Sequence, residues 1–425
     1  MSTEGNENPE KEIIKPPTNN NNISEDEEEI LNSLNIPNNS NSNKSKTNQQ
    51  ENLSLKINEN DSKENKEDIK IEDDEEDKSN NPYIKIFESN EDRLYGITFQ
   101  NSLENNNINF AVSSLNMNTN NNISIVSFSQ DNEVNDDENI NKITTNDDNP
   151  IQKKNNSLKI KSKVECEFPV SSILFSPHER NKNLLISTSD ILRLYNYNDE
   201  KLSLKAELTK RRKDYVGPLT ACDWSRANDA IIGVCSVDTS CAIWDLNKME
   251  VRDIIIAHDK EVYDISLGKD EFTFMSTGAD GSIRLFDSRS PDSSSIIFET
   301  IDENPMTRIK WNLINPNFLL TVIIDKNEIY IVDQRNLSAP YAILKVHTNV
   351  VNNAIWAPGS NTNLISVSDD KSALLWDIYC DSDKPEEYIL EYKADREIEN
   401  VAWGDVTQNW VGIVDGNQAE ILRIQ

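Results

Sequence analysis

Histidine is almost absent from this chain, with three among 425 residues. Three are too few for a histidine-built metal centre beside other duties. The chain also lacks a GxxxxGK[ST] phosphate loop and a GxSxG nucleophile elbow. Basic side chains are outnumbered, 43 Lys+Arg against 74 Asp+Glu, for a net charge of −31. A surface of that sign lacks the basic footprint that DNA or RNA binding needs, and it suits solubility and basic partners. Long apolar runs are missing too. The longest, such as "NFLLTVII" around Leu319, have the length of a strand and fall short of a membrane span. The opening "MSTEGNENPE" has neither the basic nor the apolar region of a secretory signal. No CxxC joins the five cysteines (Cys166, Cys222, Cys235, Cys241, Cys380). An odd number at irregular spacing fits reduced thiols in the cytosol or nucleus. Cys222, Cys235 and Cys241 fall in strand patterns, as core fillers. Aromatics are missing from the first 80 residues, which carry 21 acidic against 9 basic side chains and are dense in Asn. Such a segment cannot bury enough apolar surface to offset its ordering entropy, so residues 1–81 are expected to be a disordered acidic tail. A second aromatic-free tract, 129–157, reads as a long loop insertion.

What is present is a repeat. Strands ending at Trp244, Phe286, Val332 and Trp376 follow one another at steps of 42, 46 and 44 residues. A second series, Trp224, Leu267, Trp311, Trp356 and Trp403, steps by 43, 44, 45 and 47, and Phe175 extends it backwards by 49. Between the landmarks each unit alternates apolar and polar residues with period two, broken by Gly, Asp and Asn turns, which makes strands. Four strands per unit of 40–45 residues is the pattern of a Trp-Asp β-propeller blade. Residues 82–425 less the insertion leave room for seven units of about 45. The expectation is an all-β, seven-bladed WD40 propeller over 82–425, six blades running from about Leu158 and the seventh lying in Tyr83–Phe128. The spare strand "YIKIFES" (Tyr83–Ser89) is expected to pair into the last blade, whose final strand "AEILRI" has no outer neighbour, and so to close the ring against an open edge.

One stretch, His258 to Asp287, contains the side-chain types of a hydrolase triad: His258, Ser276 and Asp280. The same set returns one blade pair later as His347, Ser366 and Asp370. Asp238 to Trp244, Asp280 to Phe286 and Asp370 to Trp376 are all six residues apart. A catalytic triad has no reason to recur at the blade period, whereas a network satisfying polar groups in turns does. The His is expected to donate to the Asp and the Ser, and the Trp376 indole to the Ser. The enzymatic alternative requires a hydrolysis lost in a folded His258→Ala protein. His178 falls in a surface turn. No catalytic residue, metal or cofactor is implied.

Several stretches resemble one family of Trp-Asp-repeat adaptors: "GPLTACDW" (Gly217–Trp224), "SVDTSCAIWDL" (Ser236–Leu246), "AHDKEVYDI" (Ala257–Ile265), "STGADGSIRLFDSR" (Ser276–Arg289), "IWAP" (Ile355–Pro358), and the closing "EIENVAW" and "EILRI". Together they are similar to the family of WD-repeat protein 68, Transparent Testa Glabra and Anthocyanin-eleven. The resemblance implies a non-enzymatic scaffold, a monomer within larger assemblies, in cytoplasm and nucleus. It implies as partners kinases of the dual-specificity tyrosine-regulated and homeodomain-interacting types, and Myb or basic helix-loop-helix transcription factors, with no nucleic acid or membrane bound directly. Some members serve cullin-RING ubiquitin ligases as substrate receptors through an Asp-x-Arg element. Two copies stand here, Asp287/Arg289 and Asp333/Arg335, each without the preceding Trp (Phe286, Val332). The other reading is that these arginines pair with nearby acids on the blade rim. "KRRKD" (Lys210–Asp214) reads as a solvated inter-strand loop, a nuclear-import signal or a partner contact, "SEDEEE" (Ser24–Glu29) as a charged linker or acidophilic kinase site, and "EEILNSLNI" (Glu28–Ile36) as a candidate partner-bound helix.

Overall fold

In the computed structural model the described residues are 84–89, 93–104, 107–117, 120–129, 158–209, 217–378 and 388–424. The tail, the 130–157 tract, "KRRKD" and Cys380 lie outside them. The described residues form 28 strands in seven four-stranded antiparallel sheets.

The first sheet holds β2 (Leu94–Glu104), β3 (Asn107–Ser114), β4 (Asn121–Ser129) and β5 (Lys159–Cys166). The second holds β6 (Ser172–Phe175), β7 (Leu184–Thr188), β8 (Leu192–Asn198) and β9 (Lys201–Leu208). The third holds β10 (Leu219–Trp224), β11 (Ile231–Ser236), β12 (Ser240–Asp245) and β13 (Glu250–Ile256). The fourth holds β14 (Val262–Leu267), β15 (Thr273–Gly278), β16 (Ser282–Asp287) and β17 (Ser294–Glu299). The fifth holds β18 (Met306–Trp311), β19 (Phe318–Ile323), β20 (Ile329–Asp333) and β21 (Ala342–Leu344). The sixth holds β22 (Val351–Trp356), β23 (Asn363–Ser368), β24 (Ser372–Asp377) and β25 (Tyr388–Lys393). The last joins β26 (Asn400–Trp403), β27 (Trp410–Asp415) and β28 (Gln418–Arg423) to β1 (Ile84–Glu88).

Both repeat series fall at strand ends. Phe175, Trp224, Leu267, Trp311, Trp356 and Trp403 terminate the first strand of their sheets. Closure follows the expected route: β1 pairs antiparallel with β28, Lys85 opposite Ile421 and Phe87 opposite Ala419. The first blade differs from expectation. Its fourth strand is β5, which returns after the 130–157 tract to pair with β4, Val126 opposite Ile160. The second blade therefore begins at β6 and not near Leu158. The outer strand "KIKSKVEC" is half exposed and nowhere buried, and its charges hide it from a hydrophobic-pattern reading.

Seven apolar clusters hold the sheets together, one in each seam between neighbours. Burial of that apolar surface is the main stabilising term. The inner edges of the first strands are tied as well, because an unpaired buried edge leaves backbone groups without partners. Phe175 N donates to Thr98 Oγ1 at 3.2 Å, Ser171 Oγ to Leu219 O at 2.7 Å, and Thr220 Oγ1 to Val262 O at 2.7 Å. Ile309 N donates to Asp264 Oδ2 at 3.0 Å, and the Trp356 indole to Lys310 O at 2.9 Å. Asn353 Nδ2 donates to Asn400 Oδ1 at 2.7 Å, and Asn400 Nδ2 to Tyr95 O at 2.9 Å. Every seam, including the one between the last sheet and the first, thus carries a side-chain tie around the central channel.

Candidate functional site

Strand direction sorts the loops into two faces. One carries the loops that enter each first strand and the hairpins between second and third strands. The other carries the hairpins between first and second strands and the loops after third strands.

The first face holds the His/Ser/Asp sets. His347 Nδ1 lies 2.8 Å from Asp370 Oδ2, His347 Nε2 lies 2.7 Å from Ser366 Oγ, and the Trp376 indole donates to Ser366 Oγ at 2.8 Å. Burial pushes the His347 pKa down, against the pull of Asp370. A carboxylate only accepts, so Nδ1 carries the ring proton and Nε2 of the neutral ring accepts from the Ser366 hydroxyl. The expected donation from His to Ser therefore runs the other way, as a chain from Trp to Ser to His to Asp. Asp370 also accepts from Thr348 N and Ser372 N, both at 2.9 Å, which pins the entering loop to the hairpin.

The other set is built alike. His258 Nδ1 lies 2.9 Å from both Asp280 oxygens, and Nε2 lies 2.8 Å from Ser276 Oγ. Burial opposes ionisation of Asp280, but its hydrogen bonds with His258 and Ser282 hold the carboxyl well below the usual carboxylate range. Phe286 replaces the Trp and stacks on Phe274 at 5.0 Å. Gly281, at φ 69°, turns this hairpin. A Cβ there would lie 2.6 Å from the Glu303 carbonyl carbon. Both histidines and both serines are buried within these networks. The third blade shows the consequence of a missing member. Val234 stands ten residues before Trp244, as Ser366 stands before Trp376, and the buried Trp244 indole N–H has no hydrogen-bond partner.

His178 Nε2 meets Ser225 O at 2.7 Å. Cys222, Cys235 and Cys241 are buried, and desolvation pushes the Cys222 thiol up to about 12. At that value it is a packed hydrophobe at neutral pH.

The last blade carries a pair of acids the sequence reading missed. Asp415 and Glu420 are both fully buried on the β27–β28 hairpin. Glu420 Oε2 accepts from Tyr392 Oη at 2.5 Å, while neither Asp415 oxygen has a hydrogen-bond partner. Burial and then the charge of Glu420 push Asp415 up to about 7. The equivalent last residues of β11 and β23 are Ser236 and Ser368, whose hydroxyls donate to Gly217 O and Asn349 O at 3.1 and 3.2 Å.

The second face carries the Asp-x-Arg elements. Arg289 Nε donates to Asp287 Oδ1 at 2.9 Å and its terminal nitrogen to Oδ2 at 2.5 Å. Arg335 grips Asp333 in the same fashion, at 2.9 and 2.6 Å. The Arg289 guanidinium also lies 4.8 Å from the centre of the Phe272 ring. The hydrogen bond from Arg289 holds the Asp287 carboxyl down at about 2. Each arginine does pair with its own acid, yet both side chains stay more than 60% exposed.

The same face opens into the central channel, a cavity of about 600 Å³ lined by the first strands of all seven sheets. Tryptophans shape its mouth. The Trp224, Trp311 and Trp403 indoles each donate to the carbonyl five residues on, at Asp229, Pro316 and Gln408 (3.0, 2.6 and 2.7 Å). In these three blades that bond fixes the hairpin after the first strand, whereas the Trp356 indole reaches Lys310 O of the neighbouring sheet. Deeper in, Lys310 Nζ meets Asp264 Oδ2 at 2.9 Å. Arg308 reaches from the fifth blade across the channel to Tyr95 Oη of the first, at 2.9 Å. Both cations were missed at the sequence level, although "TRIKW" places them two apart in a strand of a predominantly apolar fold.

Comparison with known proteins agrees with this architecture. The family model described as "WD domain, G-beta repeat" matches residues 250–287 and 338–377. A "DDB1- and CUL4-associated factor 7 homolog" of Dictyostelium discoideum is 36% identical over 265 residues, 61% of this chain and 81% of that protein. A WD repeat-containing protein of Schizosaccharomyces pombe is 28% identical over 340 residues, 63% of this chain and 77% of that one. Another, from Saccharomyces cerevisiae, is 31% identical over 264 residues, 53% of this chain and 50% of its own length. These likenesses support the WD40 propeller and a DDB1- and CUL4-associated relative, and stop short of the narrower resemblance to Transparent Testa Glabra and Anthocyanin-eleven. A seven-bladed ring with this repeat and such a relative is a WD40 propeller scaffold, and the chain belongs to the family of the DDB1- and CUL4-associated factor 7 homolog.

Proposed function

We propose that this protein is a non-enzymatic scaffold that holds two or more protein partners on one rigid ring and so raises the effective concentration of each near the other. The observation that carries the reading is the fate of the His/Ser/Asp sets: both are spent, atom by atom, on fixing turns of a closed propeller. The partners in this reading are protein kinases of the dual-specificity tyrosine-regulated type and Myb or basic helix-loop-helix transcription regulators, met in cytoplasm and nucleus. The narrower resemblance to the WD-repeat protein 68, Transparent Testa Glabra and Anthocyanin-eleven family supports those partners.

A second reading is favoured by two observations. The Dictyostelium relative's printed name ties it to DDB1 and CUL4, and this chain presents the exposed arginines of two Asp-x-Arg elements, Arg289 and Arg335, on one face. In that reading the protein is a substrate receptor of a cullin-RING ligase, with Asp287, Arg289, Asp333 and Arg335 at the adaptor contact. Affinity purification of the tagged full chain with quantitative mass spectrometry separates the two. The receptor reading expects DDB1 and CUL4 with the wild type and at least a tenfold loss with Arg289→Glu/Arg335→Glu. Undiminished recovery of both with that variant discards the receptor contact and leaves the scaffold reading with its other partners.

A further inference from the structure

The loop between β16 and β17, residues 288–293, is held at its base and open at its tip. Ser288 is buried, and its Oγ accepts from a terminal nitrogen of Arg252 at 2.7 Å. Ser290, Pro291, Asp292 and Ser293 are exposed, as are Ser294 and Ser295 at the start of β17. Among the described residues the Ser290 hydroxyl makes no hydrogen bond. Its main chain closes a turn, Ser290 N donating to Asp287 O at 2.8 Å. The fifth blade makes the same turn, Asn336 N donating to Asp333 O at 2.9 Å. There the side chain serves the loop, since Asn336 Oδ1 accepts from Ser338 Oγ at 2.7 Å. The turn therefore needs no serine at 290, and the Ser290 hydroxyl is left to solvent.

Two serines of the chain precede a proline, Ser176 and Ser290, and no threonine does. Ser176 is fully buried, and its Oγ accepts from His178 N at 3.3 Å. Ser290 differs on both counts. A kinase draws its substrate segment out straight, so the loop must open. Few bonds resist: the turn bond at Ser290 N, and Ser293 N to Ser290 O at 3.2 Å. Pro291 has no N–H to release. β17 is an outer strand paired on one side only, Ser294 opposite Phe286 and Ser295 opposite Leu285, and such edges open locally. The surroundings also suit the product. Arg289 stands beside Ser290 and clasps Asp287, to whose carbonyl Ser290 N is bonded. A turn of this kind brings its first and fourth Cα within about 7 Å, so a phosphate on Ser290 arrives at the clasp. It carries about −1.5 to −2 charge on three acceptor oxygens, where the Asp287 carboxylate has a single charge on two. Arg289 turns to the stronger acceptor, and the like-charged Asp287 is repelled.

We propose that Ser290 is a phosphorylation site for a proline-directed protein kinase, and that its phosphate draws the Arg289 guanidinium off Asp287. In the transfer, Ser290 Oγ bonds to the γ-phosphorus of ATP, the bond from that phosphorus to the β–γ bridging oxygen breaks, ADP leaves, and the hydroxyl proton passes to a base of the kinase. The neutral Asp287/Arg289 pair becomes a group of three with a net charge of about −1.5 to −2. Asn336 stands at the corresponding place in the fifth blade, so Asp333/Arg335 stays as it is. Under the receptor reading, on which this last consequence rests, phosphorylation withdraws one of the two arginines from the adaptor contact and spares the other.

The test treats the folded full chain, wild type and Ser290→Ala, with a purified mitogen-activated protein kinase and Mg-ATP, beside a synthetic peptide of residues 284–297. Phosphopeptide mapping is expected to find phosphate on Ser290 in chain and peptide, none on Ser176, and none in this loop with Ser290→Ala. A peptide that is modified while the folded chain is not overturns the site, and so does failure of both. Phosphorus-31 NMR then follows the second ionisation of the phosphoserine. In wild type it is expected about 0.5 pH units or more below the usual value near 6, and back near 6 with Arg289→Gln. Identical titrations overturn the capture of Arg289. Affinity purification separates this inference from the receptor reading. Phosphorylated wild type is expected to recover DDB1 about threefold less than unmodified wild type, as for loss of one rim charge. Recovery that is lost with Arg289→Glu/Arg335→Glu but untouched by phosphorylation sinks the regulation and keeps the receptor contact. An unmodified chain that recovers no DDB1 sinks the receptor reading, while phosphate mapped to Ser290 and its lowered ionisation uphold the site.

Discussion

Replacing Asp415 by Asn should stabilise this protein, and only above mildly acidic pH. Asp415 is fully buried, its oxygens lack hydrogen-bond partners, and burial with the Glu420 charge raises it from 3.8 to about 7. Asp395 adds like charge and Arg396 offsets part of it. In the unfolded chain this acid ionises near 3.8, whereas the folded chain keeps its proton until about 7. Between those values the unfolded state binds fewer protons, so stability falls as pH rises and levels off above the folded value. The full displacement corresponds to roughly 4 kcal/mol, and relaxation of the hairpin around the charge brings it to about 2–3 kcal/mol. Asn keeps the shape, cannot ionise and adds donors. Urea unfolding of wild type and Asp415→Asn across about pH 4 to pH 8 should give curves that coincide at the acid end and diverge by about 2–3 kcal/mol at the alkaline end. Parallel curves, or a variant less stable at every pH, would refute the reasoning and place an unseen donor on Asp415.

Trp376→Phe removes the indole donor to Ser366 and should cost about 1 kcal/mol for the bond and roughly 1 more for the smaller ring, measured by urea unfolding. His347→Ala leaves Asp370 with one partner fewer in a buried turn and should cost about 2–4 kcal/mol in the same assay. Gly281→Ala places a Cβ on the Glu303 backbone at positive φ and should lower stability by about 1–3 kcal/mol, read as a drop in Tm. Deleting Ile84–Glu88 strips β28 of its outer partner and should lower Tm and promote self-association by light scattering. An unchanged melt would mean that β1 does not secure the ring.

Legibility in the sequence tracks locality. Trp224, Trp311 and Trp403 announce the repeat because each does its work within five residues, on the hairpin it ends. His347, Ser366 and Asp370 are legible because they recur at the blade period with their partners within one blade. What the period does not encode was lost. The Arg308–Tyr95 bond spans 213 residues of chain, and nothing near either residue points to the other. β5 was missed because a solvent-facing outer strand needs no apolar alternation. Asp415, next to Gly416, has no local sign of burial, and only the packing of Tyr392 and Glu420 around the hairpin shows it sealed from water.

The pairing of β1 with β28 has a consequence for biogenesis. The ribosome makes the strand that latches the ring some 330 residues before the strand it latches onto. At about 5–20 residues per second, that separates the two by roughly 15–65 seconds. Throughout that interval six nascent blades accumulate with a sticky margin at each end of the arc. Demand for chaperone cover should peak just before β28 emerges, and truncations that remove only β28 should be degraded as severely as those that remove whole blades.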